Sequence, residues 1–221
     1  MSEQKGMEDA GGGGRPYLSN SLPLASNDHF TDYATRMNEA MMGFDWTPVS
    51  QLTNDLMDLA RDGRQLFLCG NGGSAGNANH LANDFLYAWS KKAGRGIRVQ
   101  SLAANPAVMA CLANDVGFEE VFANQLQILA REGDVLLCFS GSGNSPNILR
   151  VLEEAKAMGV KTYSVLAFDG GKAKALSDVP IHLEIDDMQI GEDFQTVIGH
   201  AIVQYMFKHR DLLGPDPARG A

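Results

Sequence analysis

The sequence predicts an α/β protein of three layers: a central parallel sheet of about five strands between helices, with a helical extension at its N-terminus. Three observations predict it. From residue 65 onward, short apolar runs of strand length alternate with segments of helical periodicity, the pattern of βαβ units. The clearest run, Val135–Phe139, is apolar throughout, as in a strand covered on both faces. Two of the runs empty directly into loops of glycine, serine and asparagine that lead into helices.

Taken in order, residues 1–27 read as a flexible polar tail without a basic-then-apolar leader pattern. Residues 28–210 read as a single domain that includes its N-terminal helices. Asp28–Glu39 and Val49–Arg61 have helical spacing, through Phe30, Tyr33, Ala34 and Met37 in the first and Leu52, Leu56 and Leu59 in the second. Their apolar stripes need a cover, and the methionines Met37, Met41 and Met42 suit a sheet face or a partner subunit. Asp62-Gly63 stops the second helix ahead of a strand at Gln65–Cys69. A loop and a helix carrying His80 and Asp84 follow, then a charged turn at Lys91–Arg98 and a strand at Ile97–Leu102.

Asn105-Pro106 opens a short helix, and Phe118–Arg131 reads as a longer one ahead of the Val135–Phe139 strand. Ser145 and Pro146 suit the N-cap and first position of the next helix, which Gly159 closes. Strands at Lys161–Ala167 and Val179–Ile185 flank a short helical turn at Ala173–Leu176. A last helix spans Glu192–Arg210, and residues 211–221 form a loose tail.

Composition removes some function classes. A net charge of −9 weighs against a nucleic-acid surface but not against a small anion, which a nest of backbone N–H groups binds locally. No apolar run is long enough to cross a bilayer, so a cytoplasmic chain without membrane contact is expected. Three cysteines without metal-type spacing, Cys69, Cys111 and Cys138, read as reduced, buried thiols.

Chemistry concentrates in two loops, each directly after a strand: Gly70–Asn77 and Ser140–Ser145. Ligands of open parallel sheets bind at that edge. The second loop offers three hydroxyls and flexible glycines before a capped helix, the donors a phosphate monoester needs. It is neither a Walker loop nor G-x-G-x-x-G, which disfavours a nucleotide. His80 and Asp84, four residues apart, share one helix face. Carboxylate plus imidazole suits acid–base proton transfer, and the same groups suit zinc; the other reading is a helix-surface hydrogen-bonded pair, which the adjacent anion loop disfavours.

The stretches GNGGSAGNANH at Gly70–His80, AND at Ala113–Asp115, SGSGNSPN at Ser140–Asn147 and EDFQTVIGH at Glu192–His200 resemble the SIS (sugar isomerase) domain family. They look most like its branch of sedoheptulose 7-phosphate isomerases. The resemblance implies the SIS fold, an aldose–ketose isomerase working through an enediol, and a homotetramer with zinc sites at subunit interfaces. It also implies residue roles. Asn71, Gly72, Gly73, Ser74, Asn114 and Asp115 would bind the sugar, and Ser140, Gly141, Ser142 and Ser145 the phosphate. His80 would be a metal ligand, and Asp84 both metal ligand and acid/base. His200 would be the second catalytic residue and also a ligand.

The chain departs from the family pattern in three places: Asp84 stands for glutamate, Glu192 for glutamine and Gly141 for threonine. The shorter Asp84 puts the reach of its carboxylate in question. Glu192, expected to touch substrate and metal, lies eight residues before His200, about 12 Å of helical rise. A regular helix brings both to one ion only if long side chains converge, the helix start is irregular, or subunits share the site; Gln195 is a substitute ligand. His29, His182 and His209 read as structural or surface residues. The rival expectation is a non-catalytic SIS module that binds a sugar phosphate or a replication-initiator protein; an isomerase of another ketose phosphate is a third.

Overall fold

The computed structural model of the chain describes residues 25–90 and 96–214. Most of both expected tails, and residues 91–95 of the charged turn, lie outside that range. The chain divides into two compact units, Met1–Asn38 and Glu39–Ala221, and the sheet and every site residue named above belong to the second. Helix α1 (Asn27–Met42) has no fully buried residue among those described, and of its apolar stripe Tyr33 and Met37 are half-buried while Phe30 is exposed.

The second unit is a three-layer α/β fold. Five parallel strands, β1 (Gln65–Gly70), β2 (Arg98–Ser101), β3 (Val135–Ser140), β4 (Lys161–Leu166) and β5 (Val179–His182), lie in the order β2-β1-β3-β4-β5. All residues of β3 are buried, as the apolar run required. Side chains alternate between faces. Phe67, Cys69, Leu136 and Cys138 join one core with Val121, Phe122, Leu126, Ile148, Val151 and Leu152, from the residues around α5 (Ala123–Leu129) and from α6 (Pro146–Ala157). The other face carries α2 (Thr47–Asp62), α3 (Gly73–Asn83) and α8 (Met188–Lys208).

Helix α2 shows how local chemistry sets an element. Leu52, Leu56 and Leu59 recur every three to four residues and are fully buried, each stabilising by about 1.5–3 kcal/mol. Gly63 ends the helix at φ 74°, where its N–H reaches Leu59 O. The helix expected over Phe118–Arg131 is interrupted. A 3-10 turn at Phe118–Glu120, entered through Gly117 at φ 111°, precedes α5, and Val121 and Phe122 between the two are fully enclosed. The remaining helices are α4 (Pro106–Asp115), capped by Asn105, and the short α7 (Ala173–Leu176).

The topology positions the site. The chain leaves β1 toward β2 on one side and returns to β3 on the other, so β1 and β3 flank the point where the direction of winding reverses. Loops leaving the carboxyl ends of such strands diverge and open a crevice. The two loops are those picked out in the sequence.

Candidate active site

At the end of β1 the chain turns sharply into α3. Gly70 is required there, since a Cβ would stand 2.6 Å from the carbonyl oxygen of Ser74, a backbone atom that cannot swing aside. Gly72 takes φ 54°, a left-handed conformation that favours glycine. Helix α3 then runs to Asn83 and continues as a π turn over Asp84–Ala88. Such turns are rare and recur at functional sites. Helix α8 lies against α3, so close that a Cβ on Gly199 would collide with the buried side chain of Leu81.

This contact brings together three of the expected residues. His80 Nε2 and His200 Nε2 are 2.8 Å apart, and Asp84 Oδ2 is 3.5 Å from the first and 3.3 Å from the second. The shorter carboxylate therefore reaches both rings. The two imidazoles are half exposed while Asp84 is 14% exposed, so the acid is held and the rings face outward. The Nε2–Nε2 contact is a hydrogen bond only when one ring carries the proton and the other a bare nitrogen.

The donor atoms fit a metal ion. All three lie within 4.8 Å of one another, and ligands at about 2.0–2.2 Å from a tetrahedral centre stand roughly 3.4 Å apart. The two Asp84 separations match that spacing, and the His–His separation is shorter. Two imidazoles and a carboxylate would leave one position of a four-coordinate ion open.

Glu192 does not join that trio. It sits two turns back along α8, and its carboxylate rests against Gly73 so tightly that a Cβ there would overlap it. The regular helix explains the separation: α8 begins at Met188, capped by Asp187, rather than at Glu192, so the stretch from Glu192 to His200 is uninterrupted helix. Gln195 is not with the trio either. It is buried, donates to Ser74 Oγ at 3.0 Å, and accepts from Asn77 Nδ2 at 2.9 Å. It braces α8 on α3.

Glu192 instead lines a cavity of about 150 Å³ with Asn71, Ser74, Phe139, Ser140, Gly141, Ser142, Ser145 and Met188. Both loops contribute, together with the first turns of α8. Ser140 Oγ accepts from Gly143 N–H at 3.1 Å, and Ser142 Oγ from Asn144 N–H at 3.3 Å, which fold the loop on itself. Ser145 occupies the N-cap of α6, but its hydroxyl makes no capping bond; the side chain lines the cavity. No lysine or arginine is among the described residues lining it. An anion placed there would meet hydroxyls and the positive end of α6, with the Glu192 carboxylate also lining the space.

Two expectations fall elsewhere. Asn114 and Asp115 are exposed at the end of α4, bonded to each other at 2.8 Å, and do not line the cavity. Cys111, expected buried, is exposed, and its thiol is pushed up by the neighbouring Asp115 carboxylate. Cys69 and Cys138 are buried, with sulfurs 3.4 Å apart, and burial together with that neighbour pushes the Cys69 thiol well up. It is no nucleophile at neutral pH.

Sequence reading missed Asn147. Its buried amide forms a reciprocal pair with Asn71, each Nδ2 donating to the other Oδ1 at 2.8 Å, which ties the loop after β1 to α6. The partners are 76 residues apart in the chain, and periodicity carries no trace of that. His182 and His209 each bond a backbone carbonyl, at 2.9 and 2.8 Å, as structural residues do.

The SIS domain profile matches residues 29–167. The chain belongs to the SIS domain family. Among its relatives, the phosphoheptose isomerase of Helicobacter pylori (strain Shi470) is 36% identical over 154 residues, covering 70% of this chain and 80% of the relative. That of Chlorobaculum tepidum is 33% identical over 181 residues, 80% of this chain and 85% of the relative. The solved phosphoheptose isomerase of Neisseria gonorrhoeae superposes with a TM-score of 0.73 at 25% identity, over 82% of this chain and 96% of that one. The Francisella tularensis structure, at 23% identity and a TM-score of 0.76 over 84% of this chain and all of that one, shows the shared SIS fold. The profile match ends at residue 167, ahead of α8. Helix α8, which carries Glu192 and His200 beyond the matched residues, is tied to the site by geometry: it packs on α3 and delivers His200 to His80.

Proposed function

We propose that this SIS-domain chain is an aldose–ketose isomerase of a sugar phosphate, with sedoheptulose 7-phosphate as the substrate and D-glycero-D-manno-heptose 7-phosphate as the product. The observation that carries the reading is the pairing of two features on one helix–helix contact. A cavity lined by serine hydroxyls, Asn71 and Glu192 lies at one end of α3 and α8, and a carboxylate with two imidazoles lies further along. From Ser74 to His80 is about 9 Å of helical rise. Six extended C–C bonds of about 1.5 Å each span roughly 8 Å, so a seven-carbon sugar held by its phosphate carries its carbonyl end toward the trio. The relatives named phosphoheptose isomerase support the same substrate.

In this reading Ser140, Ser142 and Ser145 anchor the phosphate, with Asn71 and the Gly72–Ser74 turn beside the sugar. Asp84 Oδ2 takes the proton from the carbon next to the carbonyl and returns it to the neighbouring carbon. His200 Nε2 moves the proton on oxygen, through the enediol. His80 would hold zinc with the second oxygen of Asp84, and His200 Nε2 would join them as a ligand only when it carries no proton, so its ligand and proton-transfer roles exclude each other in time. When bound, zinc would polarise the carbonyl and lower the cost of the developing oxyanion. A homotetramer is part of the proposal. Among the described residues helices α1 and α4 have none fully buried, and Ile128 is 72% exposed, surfaces a neighbouring subunit would cover.

The experiment is a coupled assay on purified protein with sedoheptulose 7-phosphate, run on the native sequence and on His200→Ala. Turnover lost in a folded variant supports the enzyme. A non-catalytic module would show no turnover in either.

A further inference from the structure

The loops after β1 and β3 lead to helices on opposite faces of the sheet, α3 on one and α6 on the other. Among the described residues, a single pair of side chains forms hydrogen bonds between the loop after β1 and the segment from Ser140 through α6. Its members are Asn71, the residue after β1, and Asn147, in the first turn of α6. Their strands are neighbours, with Gly70 in register with Phe139, so the pair spans the crevice just beyond the sheet.

The two members are unequal. Asn147 is 1% exposed and does not line the cavity, whereas Asn71 is half-buried and does. A side-chain amide offers two N–H donors and two lone pairs. The pair uses one of each on either side, at 2.8 Å in both directions, which leaves Asn71 one N–H and one lone pair for a ligand. Turning one amide alone would set oxygen against oxygen and nitrogen against nitrogen, so the two turn only together. An unpaired Asn71 would turn freely, because that torsion is broad. Among the described residues its side chain has no other hydrogen bond. The backbone beneath it is already anchored, since Asn71 O accepts from Ala75 N–H at 3.2 Å. What Asn147 adds is therefore the orientation of the Asn71 amide.

We infer that Asn147 is a positioning residue for the sugar phosphate. Without touching the ligand, it holds the Asn71 amide in one orientation, so that the free donor and acceptor are ordered before the ester arrives. The inference rests on the reading that the Ser140–Ser145 loop holds the phosphate with Asn71 beside the sugar. A side chain fixed in advance adds affinity by removing the cost of ordering it on binding. The trio of His80, Asp84 and His200 is set by the α3–α8 contact instead. Loss of the amide pair thus weakens binding and leaves proton transfer nearly untouched.

The test is titration calorimetry with sedoheptulose 7-phosphate, together with kcat from the coupled assay. It is run on the full native chain, Asn147→Ala, Asn71→Ala and the double variant. Each single variant should raise Kd about tenfold, with kcat within about threefold of native. The double variant should raise Kd no further than Asn71→Ala alone, because Asn147 acts through Asn71. Asn147→Ser suits the first turn of a helix but is too short to meet both atoms of Asn71, and it gives the same readout if the alanine variant does not fold. A folded Asn147 variant with native Kd overturns the inference. So do losses that multiply in the double variant, which a merely structural role in α6 would produce, or a fall in kcat at unchanged Kd. A native chain that does not bind the sugar phosphate overturns the binding reading and this inference together.

Discussion

Asp84 decides how the trio works. One methylene shorter than glutamate, it still stands 3.3–3.5 Å from both imidazole nitrogens, because α3 and α8 are in direct contact. The side chain is also the enclosed member of the set, so removing its charge leaves two half-exposed rings beside a neutral amide that cannot take up a proton. Asp84→Asn is expected to lower kcat about 10²–10⁴-fold, the usual contribution of a positioned acid/base, read by the coupled assay. His200→Ala should cost a similar factor. Its ring is half exposed, so far-ultraviolet circular dichroism and the melting temperature should stay near those of the native chain; a variant that loses turnover only by unfolding would remove His200 from the mechanism. Of these residues, the His80–Asp84 pair was legible in the sequence, since spacing of four defines one helix face. The distance from Glu192 to His200 was equally legible as a warning, and the structure bears out the separation. Asn147 and the true role of Gln195 were not legible, because their partners lie 76 and about 120 residues away, and only the fold brings them together.

At the scale of elements, the α3–α8 contact carries the site. Gly199 lets the helices approach, and Leu81, fully buried, has no free direction in which to swing. Gly199→Val is expected to destabilise by about 1–3 kcal/mol through overpacking, roughly 2–10 °C in Tm for a chain of this size. Because the neighbouring residue is His200, kcat should fall as well, even below the new melting point; a variant with lower Tm and native kcat would show that the spacing of His80 and His200 is not set here. Gly70→Ala belongs to the same class, but its obstacle is the backbone of Ser74. It should displace the loop and weaken phosphate-ester binding, measured by calorimetry, more than it lowers Tm. Most strands and helices were legible from apolar runs and caps. The break at Phe118–Glu120 was not, because two adjacent apolar residues fit a helical pattern as readily as a turn. The π turn beginning at Asp84 leaves no periodic signature at all.

For the whole molecule, strand order converts two distant loops into one crevice. The loops after β1 and β3 are about 70 residues apart in sequence, yet their strands are hydrogen-bonded neighbours at the reversal of winding. Parallel α/β architecture was legible from the alternation of elements, and the crevice from loop composition, but the order β2-β1-β3-β4-β5 was not, since periodicity does not say which strands pair. Metal binding should report on this assembled state. An ion that binds only the folded chain stabilises it by mass action, about 2.7 kcal/mol at a hundredfold excess over Kd. Zinc is therefore expected to raise Tm by several degrees in the native chain and to leave His80→Ala unmoved, as measured by differential scanning calorimetry. The most direct measurement is turnover of sedoheptulose 7-phosphate by the purified chain before chelation, after chelation and after zinc is restored. Turnover that disappears with the chelator and returns with zinc is the predicted result; no turnover under any metal condition would contradict the assignment.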